Sequence, residues 1–260
     1  MKKSPLTILK IGGNIINKEP ILAKVLQDFV KLPEKKILIH GGGRRASEMM
    51  RSLGIEPTMI DGRRVTDAAT LEIVTMIYAG LINKNIVAKL QAINCNAIGL
   101  SGADLNAIQS HKRIIKEIDY GFVGDIDAVN GLAISQLLQS DFVPAFCAIT
   151  HDKKGQLLNT NADSIASTVA AAMSRYFQTK LVLCFEKDGV LSDPTDDASV
   201  IPSINSDQFQ KYKATGVISD GMIPKMEGAF FAMQNGVENV YIAGIHALEN
   251  TTIKGTKLCL

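Results

Sequence analysis

The sequence predicts an α/β protein, built as a three-layer αβα sandwich around a mainly parallel central sheet. Short apolar runs alternate with amphipathic helical patterns from one end of the chain to the other. Several of these runs are continuously apolar, which is typical of strands that helices cover on both faces. Strands that alternate with helices in this way form βαβ units, and such units make parallel sheets.

Each predicted element has its own local pattern. Strands are expected at Thr7–Ile11, Lys36–His40, Ala97–Leu100, Val143–Ile149, Leu181–Phe185 and Val240–Ala243. Helices are expected at Ile21–Val30, Arg44–Leu53, Ala68–Leu81, Leu132–Leu138, Ala162–Phe177, Ser206–Lys213 and Met222–Gln234. In the fifth of these helices, helical spacing predicts one apolar face made of Ile165, Val169, Ala172 and Tyr176.

Two stretches interrupt the alternation of strands and helices. Asp104–Asp127 contains alternating, turn-rich segments, which predict hairpins lying over a sheet edge or an active site. Ala148–Asn159 contains a hairpin turn at 151–155 between two apolar segments. A hinge near Phe177–Lys180 is expected to divide an N-terminal lobe, residues 1–176, from a C-terminal lobe, residues 177–260.

Composition excludes some classes of function. The 260 residues include 28 Lys and Arg against 26 Asp and Glu, a balance that argues against nucleic acid or an acidic membrane as the main partner. At 46% hydrophobic residues the chain is typical of a globular protein. No secretory signal is apparent, and no window is expected to reach the ~20 apolar residues of a membrane span. The four cysteines are far apart, so we expect them to be reduced and the protein to be cytoplasmic.

Two glycine-rich turns follow predicted strands. Gly12-Gly13 comes directly after Lys10-Ile11, and Gly41-Gly42-Gly43 comes directly after His40. Consecutive glycines allow backbone N–H groups to approach an anion closely, and a following helix adds its positive end. Two such turns on neighbouring parallel strands predict a double anion cradle with Lys10 beside it.

A competing interpretation of the second turn is dinucleotide binding. Gly41-x-Gly43-x-x-Ala46 fits the looser dinucleotide fingerprint, and Asp61 follows at the distance of a ribose-binding acid. The Walker pattern for phosphate binding is absent. Tight packing between strand and helix is a third explanation for the glycines.

Polar residues in two further segments are suited to binding. Arg64, in a turn before a helix, can grip a carboxylate with two hydrogen bonds. Asn161 is expected to cap the following helix, which places Asp163 in its first turn. Asn159 has no such structural role and is free to offer its amide to a polar substrate.

A last segment contains a helix start and a lysine. Ser219 or Asp220 is expected to cap the helix that carries Lys225. A lysine in the first turns of a helix opposes the helix dipole. By itself it is equally well explained as a solvated surface charge.

Together these segments resemble the amino-acid kinase family, and within it the branch that phosphorylates N-acetylglutamate in arginine biosynthesis. The resemblance extends from the first strand to the Gly255-Thr256 turn. The motifs that carry it are Lys10-Ile11-Gly12-Gly13, His40-Gly41-Gly42-Gly43, Arg64-Val65-Thr66, Leu158-Asn159-x-Asn161-Ala162-Asp163 and Asp220-Gly221-Met222-x-x-Lys225. Five motifs in this order are far more specific than any one of them.

The resemblance implies transfer of a phosphoryl group from ATP to the side-chain carboxylate of an N-acylated L-glutamate, giving an acyl phosphate. It implies that Lys10 and Lys225 stabilise the phosphoryl group and that Asp163 holds both lysines. The implied substrate-binding residues are Gly42, Gly43, Arg64 and Asn159. The implied nucleotide and phosphate contacts are Gly12, Gly13, Glu186, Lys187, Asp188, Gly189, Val190, Leu191, Val217, Ile218 and Ser219. Mg²⁺ is expected to be held by the nucleotide phosphates, without a protein metal site.

The chain departs from the family pattern at several positions. Phe185-Glu186 stands where Thr-Asp is usual, which concerns the ATP contacts. Arg44, Arg45 and Arg63 add positive charge near the expected acceptor site. They suggest N-succinylglutamate as an alternative acceptor, although arginines simply exposed on a helix are the favoured explanation. Another amino-acid kinase, of the carbamate or glutamate 5-kinase type, is a further alternative, and a dinucleotide-binding oxidoreductase is a remote one.

The resemblance also suggests an assembly. Arginine-inhibited relatives have an additional N-terminal helix that links dimers into hexamers, whereas about six residues precede the first predicted strand here. We therefore expect an arginine-insensitive homodimer, paired through the helix Ala68–Leu81.

Overall fold

The computed structural model describes residues 3–60, 62–115, 117–219, 221–248 and 253–260 and has the predicted α/β architecture. Its strands are β1 (Pro5–Ile11), β2 (Lys35–His40), β3 (Met59–Ile60), β4 (Arg63–Arg64), β5 (Ala97–Leu100), β6 (Ile108–Lys112), β7 (Val123–Val129), β8 (Val143–Phe146), β9 (Ile149–His151), β10 (Leu157–Thr160), β11 (Gln178–Cys184), β12 (Ser203–Asn205), β13 (Asn239–Ala243) and β14 (Thr256–Cys259). Its helices are α1 (Gly13–Ile16), α2 (Glu19–Lys31), α3 (Gly43–Ser52), α4 (Ala68–Thr75), α5 (Asn83–Ala92), α6 (Gly131–Gln139), α7 (Ala162–Met173), α8 (Ser206–Ala214) and α9 (Met222–Gln234).

An eight-stranded sheet forms the middle layer, in the order β12-β14-β13-β11-β1-β2-β8-β5. Neighbouring strands run parallel except β13 and β14. The central strands β1, β2 and β11 contain fully buried side chains such as Ile8, Leu38 and Val182. Burial on both faces explains why these strands are continuously apolar in the sequence.

The two irregular stretches form a small second sheet beside the first. β6 and β7 pair as an antiparallel hairpin within Asp104–Asp127, and β9 and β10 pair as another. The four strands close into a barrel in the order β10-β7-β6-β9. The second hairpin turns at Asp152, whose carboxylate accepts N–H bonds from Lys154 and Gln156. Both hairpin predictions are confirmed.

Two element predictions need correction. The strand expected at Val143–Ile149 is two strands, because β8 stays in the main sheet while β9 joins the barrel. α7 ends at Met173, so Tyr176 lies beyond the helix and is 41% exposed. Its buried face is completed by Ala170 and Met173 instead of Ala172 and Tyr176.

The helix predicted at Ala68–Leu81 is longer than expected. α4 continues through a π-helical segment, Met76–Ile82, into α5, so the helix runs to Ala92. By length and composition it could cross a membrane, which makes the expectation that no such window exists wrong. The helix continues through the polar residues Asn83 and Lys84. One such helix is a weak sign of a membrane span, because buried core helices pass the same test, and 44% of its most apolar window is buried.

The predicted hinge falls at the start of a central strand. β11 begins at Gln178 and pairs with β1 from its first residue and with β13 from Lys180. Strands from both predicted lobes therefore share one sheet. The division into lobes at 176 and 177 stays a prediction.

Candidate active site

Three charged side chains meet at the carboxyl end of β1. The Lys10 Nζ lies 2.8 Å from Asp163 Oδ1, and the Lys225 Nζ donates to Asp163 Oδ2 at 3.0 Å. Lys10 comes from β1, Asp163 from the first turn of α7 and Lys225 from the first turns of α9. Asn161 holds the start of α7, because its side chain accepts the N–H groups of Asp163 and Ser164. We call Lys10, Asp163 and Lys225 the lysine–aspartate cluster.

The electrostatics of the cluster follow from its burial. Burial by itself would raise the pKa of Asp163, but the charges of Lys10 and Lys225 overcome that effect and lower the pKa to about 2. Burial and the nearby positive charge of Lys10 lower the pKa of Lys225, and Asp163 opposes them. One carboxylate therefore balances two ammonium groups, which leaves the cluster one positive charge in excess.

The two glycine turns lie side by side next to this cluster. β1 and β2 are parallel neighbours, and their last residues, Ile11 and His40, are paired in register. A Cβ on Gly12 would come within 3.9 Å of the Lys10 Nζ, and a Cβ on Gly42 would come within 2.6 Å of Ile82. Among the described residues, no hydrogen bond uses the N–H of Gly42 or Gly43. These N–H groups are available to an anion.

Arg64 lies beyond the second glycine turn and is 7% exposed. Its Nη2 donates to the Gly43 carbonyl at 2.8 Å and to the Ser47 hydroxyl at 2.7 Å. Its Nη1 contacts the Met50 sulfur at 3.3 Å. These contacts fix the guanidinium at the start of α3, so that its position depends on folding and not on a ligand.

Asn159 approaches from the small barrel. Its side-chain amide donates to the Thr66 hydroxyl at 2.9 Å, and its backbone N–H donates to the Phe122 carbonyl. Thr66 in turn donates to the Arg64 carbonyl at 3.0 Å. The predicted pair of Arg64 and Asn159 is thus joined through Thr66.

These residues line one cavity of about 480 Å³. Its wall contains Lys10, Gly12, Gly13, Gly42, Gly43, Arg64, Asn159 and Asp163. The wall therefore combines the ammonium group of Lys10, free N–H groups, the Arg64 guanidinium and an amide, which together suit a small ligand with several negative charges.

The remaining predicted nucleotide contacts do not line this cavity. Val190, Leu191 and Ile218 are buried in the core, and Gly189 packs tightly against Val200. The others in this set are Glu186, Lys187, Asp188, Val217 and Ser219. Their role in binding a nucleotide stays a prediction.

A scan against family models identifies the relatives of this fold. The model of the amino acid kinase family matches residues 5–244. The chain belongs to the amino acid kinase family. It is 51% identical to the acetylglutamate kinase of Bacteroides fragilis, over 97% of this chain and 98% of that protein. It is 52% identical to the acetylglutamate kinase of Cytophaga hutchinsonii, over the same shares of the two chains.

A solved structure shares this fold. The Streptococcus mutans protein smu.665 superposes with a TM-score of 0.79 at 27% identity, over 97% of this chain and 98% of that one. The resemblance predicted from the five motifs, and the amino-acid kinase fold that it implied, are confirmed.

The amino acid kinase fold excludes the dinucleotide interpretation. That fingerprint needs a second parallel strand after the helix. After α3 the chain instead forms β3 and β4, which pair only with each other and antiparallel. The fingerprint at Gly41-x-Gly43-x-x-Ala46 is therefore coincidental, and Asp61 lies outside the described residues.

Two further predictions concern the cap of α9 and the extra arginines near the acceptor site of this amino acid kinase. α9 starts after Gly221 and has no side-chain cap, so Ser219 does not cap it, and Asp220 lies outside the described residues. Arg44 and Arg45 both pair with Glu48 on the exposed surface of α3 and do not line the cavity. Arg63 does line it.

Tyr78, Arg113 and Asp125 are among the residues of the cavity wall that sequence reasoning missed. Tyr78 projects from the π-helical segment and is 4% exposed, and burial raises the pKa of its hydroxyl. Arg113 and Asp125 form a two-pronged ion pair across the β6–β7 hairpin. The hairpin itself was predicted to lie over a sheet edge or an active site, which was the available signal for Arg113 and Asp125. Tyr78 reads in sequence as an ordinary core aromatic.

Proposed function

We propose that this amino acid kinase transfers the γ-phosphoryl group of ATP to the side-chain carboxylate of N-acetyl-L-glutamate. The bond from the γ-phosphorus to the bridging oxygen of ADP breaks, and a new bond forms to a carboxylate oxygen. The products are ADP and an acyl phosphate. The observation that carries this proposal is the contact of Lys10 and Lys225 with opposite oxygens of Asp163, beside two glycine turns.

The lysine–aspartate cluster suits phosphoryl transfer. Negative charge spreads over the oxygens of the transferring group, so catalysis consists mainly of positioning and charge stabilisation. Asp163 holds Lys10 and Lys225 close together at the same place, where their ammonium groups can face that charge. The acceptor carboxylate is already ionised at pH 7, so the reaction needs no general base.

The acceptor would be held by the far side of the cavity. Arg64 presents a fixed guanidinium, which suits the α-carboxylate of an amino acid. Asn159 offers an amide that suits the acyl amide. The full-length relatives from Bacteroides fragilis and Cytophaga hutchinsonii are both named acetylglutamate kinase, which favours this acceptor over carbamate or free glutamate.

ATP would place its phosphates against Gly12 and Gly13. We propose that its nucleoside part contacts the segments 186–191 and 217–219. Asp125 and Asp163, the carboxylates that line the cavity among the described residues, are both in ion pairs. Mg²⁺ would therefore arrive on the phosphate oxygens of ATP, where it neutralises phosphate charge, and would take few protein ligands.

The three arginines that suggested N-succinylglutamate as the acceptor do not favour it in the structure. Arg44 and Arg45 share one partner, Glu48, outside the cavity. Arg63 alone of the three lines the cavity. A direct comparison of the two acyl-glutamates tests its influence.

We further propose that the protein is a cytoplasmic homodimer. The described cysteines are all unpaired, which agrees with a reducing compartment. Met76 and Leu81 are exposed on the π-helical segment, at 59% and 41%, in contrast to the buried Tyr78 and Ile82. Such exposed apolar side chains on the long helix support pairing through this surface.

An ATP-dependent hydroxamate assay tests the proposed reaction. Hydroxylamine traps acyl phosphates, so the assay reports the product itself and not only ATP hydrolysis. Acetylglutamate, succinylglutamate, glutamate and aspartate are compared side by side by kcat/KM. We expect acetylglutamate to be preferred; a clear preference for another acceptor would replace it, and no hydroxamate with any of them would refute the proposal.

A further inference from the structure

His40 is fully buried at the end of β2, directly before the second glycine turn. Its Nδ1 lies 2.8 Å from the carbonyl oxygen of Gly41. Its Nε2 lies 3.0 Å from the side-chain nitrogen of Asn83, which also donates to the Ala145 carbonyl at 2.9 Å. Neither residue itself lines the cavity. The motif assigned to phosphate and substrate binding leaves His40 without a role.

The partners determine which ring nitrogen carries the proton. The Gly41 carbonyl can only accept, so Nδ1 must carry a hydrogen and donate it. The side-chain nitrogen of Asn83 is a donor to both the Ala145 carbonyl and the ring, so Nε2 must be an unprotonated acceptor. Burial lowers the pKa of His40 to about 4, with the Gly41 hydrogen bond opposing the effect, so the ring is neutral at pH 7. All the hydrogen-bonding groups of the ring are satisfied in this single tautomer.

The bond from Nδ1 sets the direction of a peptide plane. In a trans peptide the C=O and the N–H point in opposite directions, and among the described residues the structure has no cis peptide. The carbonyl of Gly41 turns toward the buried ring of His40. The N–H of the same peptide belongs to Gly42, and it therefore points away from the ring, on the side where Gly41, Gly42 and Gly43 line the cavity.

The π-helical segment supports this arrangement from the other side. A Cβ on Gly42 would lie 2.6 Å from Ile82 and 2.7 Å from Tyr78, so these side chains press on the turn. Asn83 follows Ile82 directly, at the point where the π-helical segment becomes α5. The π-helical segment thus supplies the packing on Gly42, and the first residue of α5 supplies the donor that orients His40.

We propose that His40 is a positioning residue that holds the Gly41–Gly42 peptide so that the Gly42 N–H faces the transferring phosphoryl group. Asn83 holds the imidazole in the tautomer that this requires. The inference rests on the proposed function, because it needs an anionic group to be handled at the glycine turn. It assigns no chemical step to His40, which is separated from the cavity by the peptide that it orients.

Two substitutions separate the two bonds of the ring. In His40→Asn the amide nitrogen can replace Nδ1 and donate to Gly41, while the contact with Asn83 is lost. In His40→Gln the amide oxygen can replace Nε2 and accept from Asn83, while the bond to Gly41 is lost. Both variants remove the same ring from the same buried place, so each is the control for the other.

We expect His40→Gln to lower kcat by about 100- to 1,000-fold, the range for a lost oxyanion donor. We expect His40→Asn to lower kcat by less than about 3-fold, since the donor to Gly41 is kept. Thermal unfolding of both variants is measured in parallel. Equal losses of kcat in the two variants, or a loss that follows the unfolding temperature alone, would overturn the inference.

The tautomer provides a readout that does not depend on activity. Long-range ¹H–¹⁵N correlation spectra of the wild-type protein distinguish imidazole protonated at Nδ1 from imidazole protonated at Nε2. The signals of His40 are those that His40→Asn removes. A neutral ring protonated at Nδ1 supports the inference even if His40→Gln does not fold, and protonation at Nε2 refutes it. If the wild type forms no acyl phosphate, the proposed function fails instead, and the tautomer still shows whether the peptide is held.

Discussion

Lys10 and Lys225 contact opposite oxygens of one carboxylate, at 2.8 and 3.0 Å, although they lie near opposite ends of the chain. Two ammonium groups repel each other, so this arrangement is stable only while the carboxylate of Asp163 is ionised between them. The fold therefore brings two positive charges together at one place and supplies one negative charge, that of Asp163, between them.

Removing either lysine is expected to abolish most of the activity without unfolding the protein. Lys225→Met or Lys10→Arg removes or displaces one ammonium group, and we expect kcat to fall by about 100-fold or more. The measurement is the hydroxamate assay under saturating substrates. Lys213→Met is the control, because Lys213 pairs with Glu227 on the exposed surface of α8. A variant of Lys10 or Lys225 with a kcat near that of the wild type would contradict the proposed roles.

Asp163→Asn is expected to change how stability depends on pH. The folded pKa of Asp163 is about 2, below its ordinary value of 3.8. The ionised carboxylate therefore stabilises the fold above about pH 4, and this contribution disappears as the pH falls toward 2. We expect the variant to be less stable than the wild type by about 2 kcal/mol at pH 7.

Urea unfolding at several pH values measures this difference. The free energies of unfolding of the wild type and Asp163→Asn should converge as the pH falls from about 4 toward 2, because protonated Asp163 resembles the amide. A difference that stays constant over that interval would show that the lysines do not depend on the charge of Asp163. At pH 7 we expect Asp163→Asn to lower kcat as well as stability, because Lys10 and Lys225 repel each other without the carboxylate between them.

Arg64→Lys is expected to impair binding of the acceptor more than the chemical step. A lysine keeps the charge but cannot donate to Gly43 and Ser47 while also presenting a planar fork to a carboxylate. We expect the KM for acetylglutamate to rise about 10-fold or more, as for the loss of one charged hydrogen bond, with a smaller change in kcat. Arg51→Lys, at an exposed arginine paired with Glu56, is the control. An unchanged KM for the acceptor would remove Arg64 from the substrate site.

Gly42→Ala is expected to be far more harmful than Gly41→Ala. A Cβ on Gly42 would lie 2.6 Å from Ile82 and 2.7 Å from Tyr78, whereas a Cβ on Gly41 meets nothing closer than Ala162 at 3.8 Å. Overpacking of this kind costs about 1–3 kcal/mol and moves the turn. Thermal unfolding and kcat of the two variants measure it. Equal behaviour of the two alanines would mean that the turn is not fixed by the π-helical segment.

Charge on the long helix is expected to separate the proposed dimer. We expect the double variant Met76→Glu with Leu81→Glu to elute as a monomer in size-exclusion chromatography with light scattering, since both side chains are exposed and apolar. Leu53→Glu changes a side chain of similar exposure, 58%, directly after the end of α3, and should leave the oligomer intact. A wild-type protein that is monomeric at all concentrations would refute the dimer.

Much of this protein could be predicted from local patterns. The ends of β5 and α9 match the predicted ranges residue for residue, because apolar runs and helical spacing are local properties. The strand break after Phe146 and the continuation of the helix past Asn83 could not be predicted in this way. In both places local propensity allows the element either to end or to continue, and packing against the neighbouring strand or helix determines which occurs.

Local patterns were enough to predict the α/β class, both glycine turns and the identity of Lys10, Asp163 and Lys225, because motifs record residue type and order. Tertiary structure decided what those residues do to one another. It brought an aspartate between two distant lysines and placed His40 under the Gly41 carbonyl. It also turned Arg44 and Arg45 toward Glu48 and away from the cavity. Distances, burial and the direction of a peptide plane arise only when separate segments pack, so they cannot be predicted from any one segment alone.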